Sequence, residues 1–172
     1  SNGVDFCNGD GGTRAGCTPC PCGNDAPQGT VGGCLNSAAM SARLRGSGRA
    51  HPDDDTLRFE LEGGTPGSFA ILISGDLQLP TYPGNPCFGL GSGVQSTALD
   101  GLRCVGGSIV RHGVRAIDAS GNVGSTNAGW GGGDAPASGL IAQGAFTFGE
   151  TRHFQVFYRD DDSKICQTGQ GT

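Results

Sequence analysis

Apolar and polar residues alternate in short segments along most of the chain, and Gly-, Pro- and Asp-rich stretches separate these segments. In residues 56–63 (TLRFELEG), Leu57, Phe59 and Leu61 alternate with charged side chains. This alternation is typical of a strand with one buried and one solvated face. Residues 68–74 (SFAILIS) are apolar at most positions on both faces, which predicts a central strand that is covered on each side.

The other apolar segments also have the pattern of strands. Further strands are expected at residues 40–50, 75–80, 99–104, 108–118, 140–148 and 151–160. In the last of these, Phe154, Val156 and Tyr158 occupy alternate positions. Many short strands joined by Gly/Pro/Asp turns, with no helical period, predict an all-β, antiparallel β-sandwich of jelly-roll-like type over residues 37–172. Residues 1–36 contain too few apolar side chains for a separate domain and are expected to pack on the sandwich as a loop-rich segment.

Composition supports this fold class and excludes two kinds of partner. Glycine supplies 34 of the 172 residues and aromatic residues only 6%, which disfavours a helical domain. The net charge is −5, the pI is about 4.9 and no basic run occurs, so nucleic acids and anionic membrane surfaces are poor partners. No apolar stretch approaches the ~18 residues of a membrane span, and none is predicted.

The chain has eight cysteines, and five of them lie within its first 34 residues. They are Cys7, Cys17, Cys20, Cys22, Cys34, Cys87, Cys104 and Cys166. A zinc ribbon needs a second Cys-x2-Cys pair besides Cys17-Thr-Pro-Cys20, and the chain has none. A thioredoxin-like redox pair needs a strand before it and a helix after it, whereas this pair lies among Gly, Pro, Thr and Asn.

Disulfides are therefore the preferred interpretation of these cysteines. Cross-links stabilise a segment that has little apolar area to bury, and they form in oxidising compartments. The protein is accordingly expected to be secreted, either extracellular or on the cell surface. The connectivity is open, since eight cysteines allow many pairings; local bridges are expected for Cys7–Cys20, Cys22–Cys34 and Cys87–Cys104.

Two groups of acidic residues are candidate calcium ligands. Asp5, Asn8 and Asp10 offer hard oxygen atoms on a short glycine-rich loop, which suits Ca²⁺ although the spacing is not that of an EF-hand. Residues 159–162 (RDDD) are a second candidate. The alternative for both groups is that these side chains cap backbone amides in turns.

A carbohydrate site is a further possibility on a β-sandwich that exposes aromatic rings. Trp130, the only tryptophan, lies in the glycine-rich loop expected at residues 119–139, and Tyr82 lies in the one expected at residues 80–96. Either ring would provide a stacking surface for a polysaccharide if it were exposed. The alternative for Trp130 is a loop anchor that packs onto the sandwich.

No enzyme motif is present in the sequence. The chain lacks a Gly-x-Ser-x-Gly elbow and a His-Glu-x-x-His zinc motif. His51, His112 and His153 are isolated, and the acid clusters at residues 53–55 and 160–162 adjoin turns, where aspartate is common. The sequence therefore predicts a protein without catalytic activity.

Three pieces of the sequence resemble a known module. Residues 6–37, which include FCNGDG, CPCGN and GCLNS, residues 100–111 (DGLRCVGGSIVR) and residues 154–160 (FQVFYRD) resemble a cysteine-containing β-sandwich module. This module is often C-terminal in large secreted proteins of environmental bacteria. The resemblance implies a secreted, non-catalytic accessory or surface domain, and it supplies no catalytic residues to transfer.

The chain departs from that module in two respects. Cys17 and Cys87 are additional to its usual set, which implies that they pair with each other. Members of the module also continue into a final strand, which this chain either lacks or ends before. A missing strand would leave an apolar groove that another chain, or the N-terminal stretch of another copy, can fill by strand addition.

These expectations give two functional hypotheses. The first is an extracellular structural, surface or filament subunit that acts through contacts with itself or with another secreted protein. The second is a calcium-assisted carbohydrate-binding accessory module of a larger secreted enzyme.

Overall fold

The computed structural model describes residues 3–11, 17–96, 100–136 and 138–160. Within these residues the chain is nearly all β. The strands are β1 (Arg43–Ser47), β2 (Arg58–Glu62), β3 (Phe69–Gly75), β4 (Leu77–Gln78), β5 (Val94–Gln95), β6 (Leu102–Arg103), β7 (Val105–Gly106), β8 (Val110–Ala116), β9 (Trp130–Gly131) and β10 (His153–Tyr158), and helix α1 (Gly139–Gly144) precedes β10.

Two three-stranded antiparallel sheets make up the sandwich. One has the order β1-β2-β9 and the other the order β10-β3-β8, while β4 pairs with β7 and β5 with β6 in two short ribbons. Ring contacts join the two larger sheets, since the rings of Phe59 in β2 and Phe154 in β10 lie 4.4 Å apart. The predicted antiparallel β-sandwich is therefore confirmed.

The main hydrophobic core lies between these two sheets. Leu61 from β2, Leu72 from β3 and Trp130 from β9 are fully buried in it. A second cluster covers the opposite face of the β10-β3-β8 sheet and contains Ile73 from β3 and Val105 from β7. Strand β3 thus contributes side chains to both clusters. This position explains why residues 68–74 are apolar on both faces of the strand, as the pattern predicted.

The N-terminal segment packs on the second cluster, and disulfides attach it to the sheet and close it on itself. Cys7 is joined to Cys104, and Cys20 is joined to Cys34. The amide of Gly9 donates to the carbonyl of Gly32 at 2.8 Å. A Cβ atom at Gly9 would lie 2.2 Å from the backbone nitrogen of Cys34, so only glycine permits this close approach of the two backbone segments.

The expected local bridges Cys7–Cys20, Cys22–Cys34 and Cys87–Cys104 are wrong. Residues near in sequence are not the nearest in space here, because the N-terminal segment crosses the sheet and brings Cys7 to a residue 97 positions later. The 14-residue separation of Cys20 and Cys34 closes the segment on itself. Cys22 is also disulfide-bonded, and Cys166 lies outside the described residues.

The strand expected at residues 140–148 is also wrong, because the structure has helix α1 there. Leu140 is fully buried against the main core, and the Asp55 carboxylate accepts a hydrogen bond from the amide of Ile141 at 2.8 Å. Asp55, in a loop distant in sequence, thus accepts a hydrogen bond from one of the backbone N–H groups that have no partner within the first turn of α1. Six residues are too few to show a helical period in the sequence. No helix in the described parts of the chain is long and apolar enough to cross a membrane.

Candidate functional site

An open groove of about 1070 Å³ runs along the outer edge of β10. Leu44 and Gly46 of β1 line one side of the groove, and the strand β10 lines the other. Phe59 and Phe146 contribute apolar surface to it. The groove therefore lies where the edge strands of the two sheets, β1 and β10, approach each other without pairing.

The backbone of β10 presents polar groups to this groove. No described strand pairs with its outer edge. The Arg159 amide donates to the Phe69 carbonyl at 3.2 Å, in the same register that pairs Tyr158 with Ala70. Because hydrogen-bonded and non-hydrogen-bonded positions alternate in an antiparallel pair, the N–H and C=O groups of Phe154, Val156 and Tyr158 point into the groove.

The edge of β1 that faces the groove also presents backbone polar groups to it. The Thr56 amide donates to the Arg49 carbonyl at 3.0 Å, which continues the register that pairs Ser47 with Arg58. By the same alternation, the backbone groups of Leu44 and Gly46 point away from β2 and into the groove. An extended segment in the groove would therefore meet hydrogen-bonding groups on one or both sides.

The side chains of β10 make the groove apolar mainly on the face that packs on the main core. Phe154, Val156 and Tyr158 pack against the main core, and Phe157 packs against the second cluster. All six residues of β10 are only partly buried. A strand with an apolar core face and one edge that no described strand covers is a template for another strand.

Polar contacts fix both ends of β10. At its C-terminal end the Asp160 carboxylate accepts hydrogen bonds from the amide of Ser37 at 2.7 Å and the hydroxyl of Thr65 at 3.1 Å. Just before its N-terminal end, Arg152 pairs with Glu150 and its guanidinium lies 4.7 Å from the centre of the Phe146 ring. The open edge is therefore held in place.

Tyr158 has a polar tip within this apolar surface. Its hydroxyl lies 3.3 Å from the side-chain amide of Asn36, which donates to it. Burial raises the pKa of Tyr158, and the hydrogen bond from Asn36 opposes that shift. The phenol is therefore neutral at physiological pH and able to serve as a hydrogen-bond donor in the groove.

One oxygen of each side chain in the predicted calcium site has a partner of its own. Asp5 forms an ion pair with Arg43 at 3.0 Å. The side chains of Asn8 and Asp10 accept hydrogen bonds from the amides of Gly32, at 3.3 Å, and Gly29, at 3.1 Å. The amide-capping alternative thus describes Asn8 and Asp10. Within residues 3–11, 17–96, 100–136 and 138–160 no group of three His, Cys, Asp or Glu side chains is placed to hold a metal ion.

The acidic run at residues 159–162 lies only partly within the described chain. Asp160 is used at the end of β10, and residues 161 and 162 lie outside the described residues.

The two aromatic residues predicted to bind sugar differ in exposure. Trp130 is 0% exposed, and its indole N–H donates to the Gly113 carbonyl at 2.9 Å. The prediction of a stacking surface at Trp130 is therefore wrong, and the alternative of a loop anchor describes it. Tyr82 is 73% exposed in the loop that follows β4.

A buried polar network that the sequence did not indicate lies on the β10-β3-β8 sheet. The Ser74 hydroxyl lies 2.8 Å from Nε2 of His112, and Nδ1 of His112 lies 2.8 Å from Oε1 of Gln143. The arrangement resembles a nucleophile, a base and an orienting group. Ser74 is 0% exposed, so no substrate can reach its hydroxyl. The three residues come from β3, β8 and α1, and only the fold brings them together.

No protein-family model, curated protein or solved structure matches the chain. The function is therefore inferred from the surfaces and contacts of this chain alone. The groove along β10 is its feature with the most specific binding chemistry, because it combines aligned backbone groups with an apolar lining.

Proposed function

We propose that this protein is a non-catalytic extracellular structural subunit whose groove along β10 receives an extended segment of a second copy of the chain. The observation that carries the proposal is the pair of strand edges, β1 and β10, that face one apolar groove and that no described strand covers. Repetition of this contact from copy to copy would build a filament.

Strand addition is the binding mode that would give hydrogen-bond partners to the backbone groups in this groove. The outward-facing groups of Phe154, Val156 and Tyr158 require backbone partners, which an extended chain supplies at matching intervals. Alternate side chains of that segment would then face the main core. The six residues of β10 correspond to a segment of about 20 Å.

The chain itself carries a stretch with the required pattern. Val4 and Phe6 alternate with Asp5, and Val4 is 85% exposed at the rim of the groove. Asp5 already pairs with Arg43 at the start of β1, so the acidic residue of this stretch complements the basic residues on the β1 side. Because Phe6 also packs on the second cluster of its own copy, a second copy can offer this stretch to the groove only by exchanging these contacts for the same contacts in its neighbour.

The disulfides support an extracellular location. Cys7–Cys104 holds the N-terminal segment on the second cluster, and Cys20–Cys34 closes the segment internally. Such bonds form and persist in oxidising environments. A subunit that is exposed outside the cell gains from covalent ties because its glycine-rich segment has little apolar surface to bury.

Replacement of Val156 by proline tests the proposal. Proline removes the N–H that points into the groove and places its ring at the edge, where an edge strand tolerates it. We expect the wild-type protein to form concentration-dependent assemblies, visible by electron microscopy and sedimentation, and Val156→Pro to remain monomeric. Val156→Thr is the matched control, since it keeps the N–H and should assemble as the wild type does.

Three results would contradict the proposal. One is assembly of Val156→Pro to the same extent as the wild type, and another is a strictly monomeric wild type that does not bind a peptide of residues 1–6. The third is strong hydrogen-exchange protection of the Val156 amide in the monomer, because part of the same chain would then cover the edge. A correctly folded Val156→Pro protein is verified by an unchanged circular dichroism spectrum.

The alternative of a calcium-assisted carbohydrate-binding module has less support. Trp130 is buried, and the oxygens of Asp5, Asn8 and Asp10 have partners within the protein. Tyr82 retains the exposure that sugar stacking needs. A glycan array probed with and without a calcium chelator distinguishes this function from the first.

A further inference from the structure

Cys17 and Cys87 form a pair of thiols in contact. Both are buried, with exposed fractions of 3% and 4%, and their side chains are hydrogen-bonded to each other. Neither sulfur is in a disulfide. The contact joins the N-terminal segment to the loop that follows β4, and no other cross-link between described residues joins these two parts.

The surroundings make the two thiols chemically different. The Thr18 hydroxyl donates to the Gly93 carbonyl at 2.8 Å and lies 3.2 Å from the hydroxyl of Ser92. Burial raises the pKa of the Cys87 thiol, but hydrogen bonds from Cys17, Ser92 and the Thr18 backbone together outweigh burial and leave the pKa below its usual value. The hydrogen bond with Cys87 raises the pKa of Cys17. Cys87 is therefore the better nucleophile of the pair.

We propose that Cys17 and Cys87 are a reversible dithiol–disulfide pair that closes by exchange with a low-molecular-weight disulfide such as oxidised glutathione. The Cys87 thiolate attacks one sulfur of the small disulfide, whose S–S bond breaks and releases one small thiol. Cys17 then loses its proton and attacks Sγ of Cys87, which releases the second small thiol. The two cysteines are oxidised by two electrons, and the small disulfide is reduced to two thiols.

A disulfide between Cys17 and Cys87 would fix the loop that follows β4, which is held mainly by hydrogen bonds within its own turns. The loop holds itself by hydrogen bonds from Asn85 to Tyr82, from Phe88 to Asn85 and from Leu90 to Cys87. Phe88 and Leu90 are 49% and 47% exposed, so few apolar contacts hold it down. Because the thiols are buried, exchange requires a local opening of this loop, and the formed bond opposes further opening.

Disulfide mapping tests the proposal on the full-length protein. The protein is incubated with oxidised glutathione, alkylated with N-ethylmaleimide under denaturing conditions and digested without reduction. We expect one linked pair of peptides that contains Cys17 and Cys87, and a mass decrease of about 2 Da for the two hydrogen atoms lost. The linked pair should disappear after treatment with dithiothreitol.

Thermal unfolding supplies a second measurement. The oxidised wild type should melt about 10 °C above the double variant Cys17→Ser/Cys87→Ser, which keeps the other cross-links. The single variant Cys87→Ser should give no linked peptide at Cys17. Alkylation of both cysteines after oxidation, or linkage of either one to a different cysteine, would overturn the proposal. If the double variant fails to fold, the peptide map of the wild type decides alone.

Discussion

His112 is a buried imidazole held by side chains from two other elements. It is 1% exposed and lies between Ser74 and Gln143. The rings of Phe146 and Phe154 pack against its imidazole ring. Burial lowers the pKa of His112, and the hydrogen bond to Gln143 opposes this shift. The folded protein thus holds the imidazole neutral at pH values where the unfolded chain, with a pKa of about 6.5, binds a proton.

This difference makes the free energy of unfolding depend on pH. Since the unfolded state binds more protons, stability rises with pH through this window and is lost as the pH falls below about 6.5. His153 acts in the same direction, because burial lowers its pKa as well. We expect His112→Gln to reduce the loss of stability between about pH 7.5 and about pH 5.5, measured by urea unfolding at each pH.

His51→Gln is the matched control for this experiment. The ring of His51 lies in a turn and accepts a hydrogen bond from the Asp53 amide, outside both hydrophobic clusters. The control should keep the pH dependence of the wild type. Equal slopes for the wild type and His112→Gln would show that His112 does not cause the effect.

Strands β3 and β10 illustrate how neighbouring elements decide what a similar pattern means. Both have apolar side chains on their two faces, but β3 lies between β8 and β10, whereas β10 has a described neighbour on one side only. Most of β3 is therefore buried, and every residue of β10 is partly exposed. The apolar pattern of residues 68–74 correctly predicted a central strand, whereas the pattern of residues 151–160 could not show an open edge.

The central position of β3 predicts a large cost for a cavity in it. Leu72 is 0% exposed in the main core, so Leu72→Ala should lower the free energy of unfolding by about 3 kcal/mol. Val114→Ala in β8 is the matched control, because Val114 is 54% exposed and should lose less than about 1 kcal/mol. Urea unfolding of both variants measures the difference, and equal losses would contradict the assignment of Leu72 to the core.

The whole molecule is a sandwich with a covalently attached cap. The cap, the N-terminal segment from Phe6 to Cys34, has few apolar residues of its own, yet Phe6, Cys20 and Cys34 contribute to the second cluster. Cys7–Cys104 attaches this cap to the sheet, and Cys20–Cys34 closes it internally. The two disulfides therefore have different structural roles.

These roles predict different costs for their removal. Cys7→Ala/Cys104→Ala opens a loop of 97 residues and should lower the free energy of unfolding by about 4.7 kcal/mol. Cys20→Ala/Cys34→Ala opens a loop of 14 residues and should cost about 3 kcal/mol. Chemical unfolding compares the two, and limited proteolysis should cleave the cap faster in the first variant. A cap that stays protected without Cys7–Cys104 would mean that packing alone holds it.

Local sequence patterns determined the strand class, the central place of β3 and the use of disulfides, because strand periodicity and cysteine composition are properties of short segments. Trp130 shows the limit of such patterns: its glycine-rich surroundings indicate a loop, but only packing between the sheets determines that its ring is buried. Residues 140–148 show the same limit for an element, since a carboxylate from a distant loop, Asp55, caps α1.

Tertiary structure alone decided which cysteines meet and which edges no described strand covers. Cys7 reaches Cys104 across 97 residues, and Leu44 of β1 and Val156 of β10 line one groove although they are far apart in sequence. The physical reason is that pairing and edge exposure depend on which chain segments become neighbours in space. The local periodicity of the side chains does not determine which segments become neighbours.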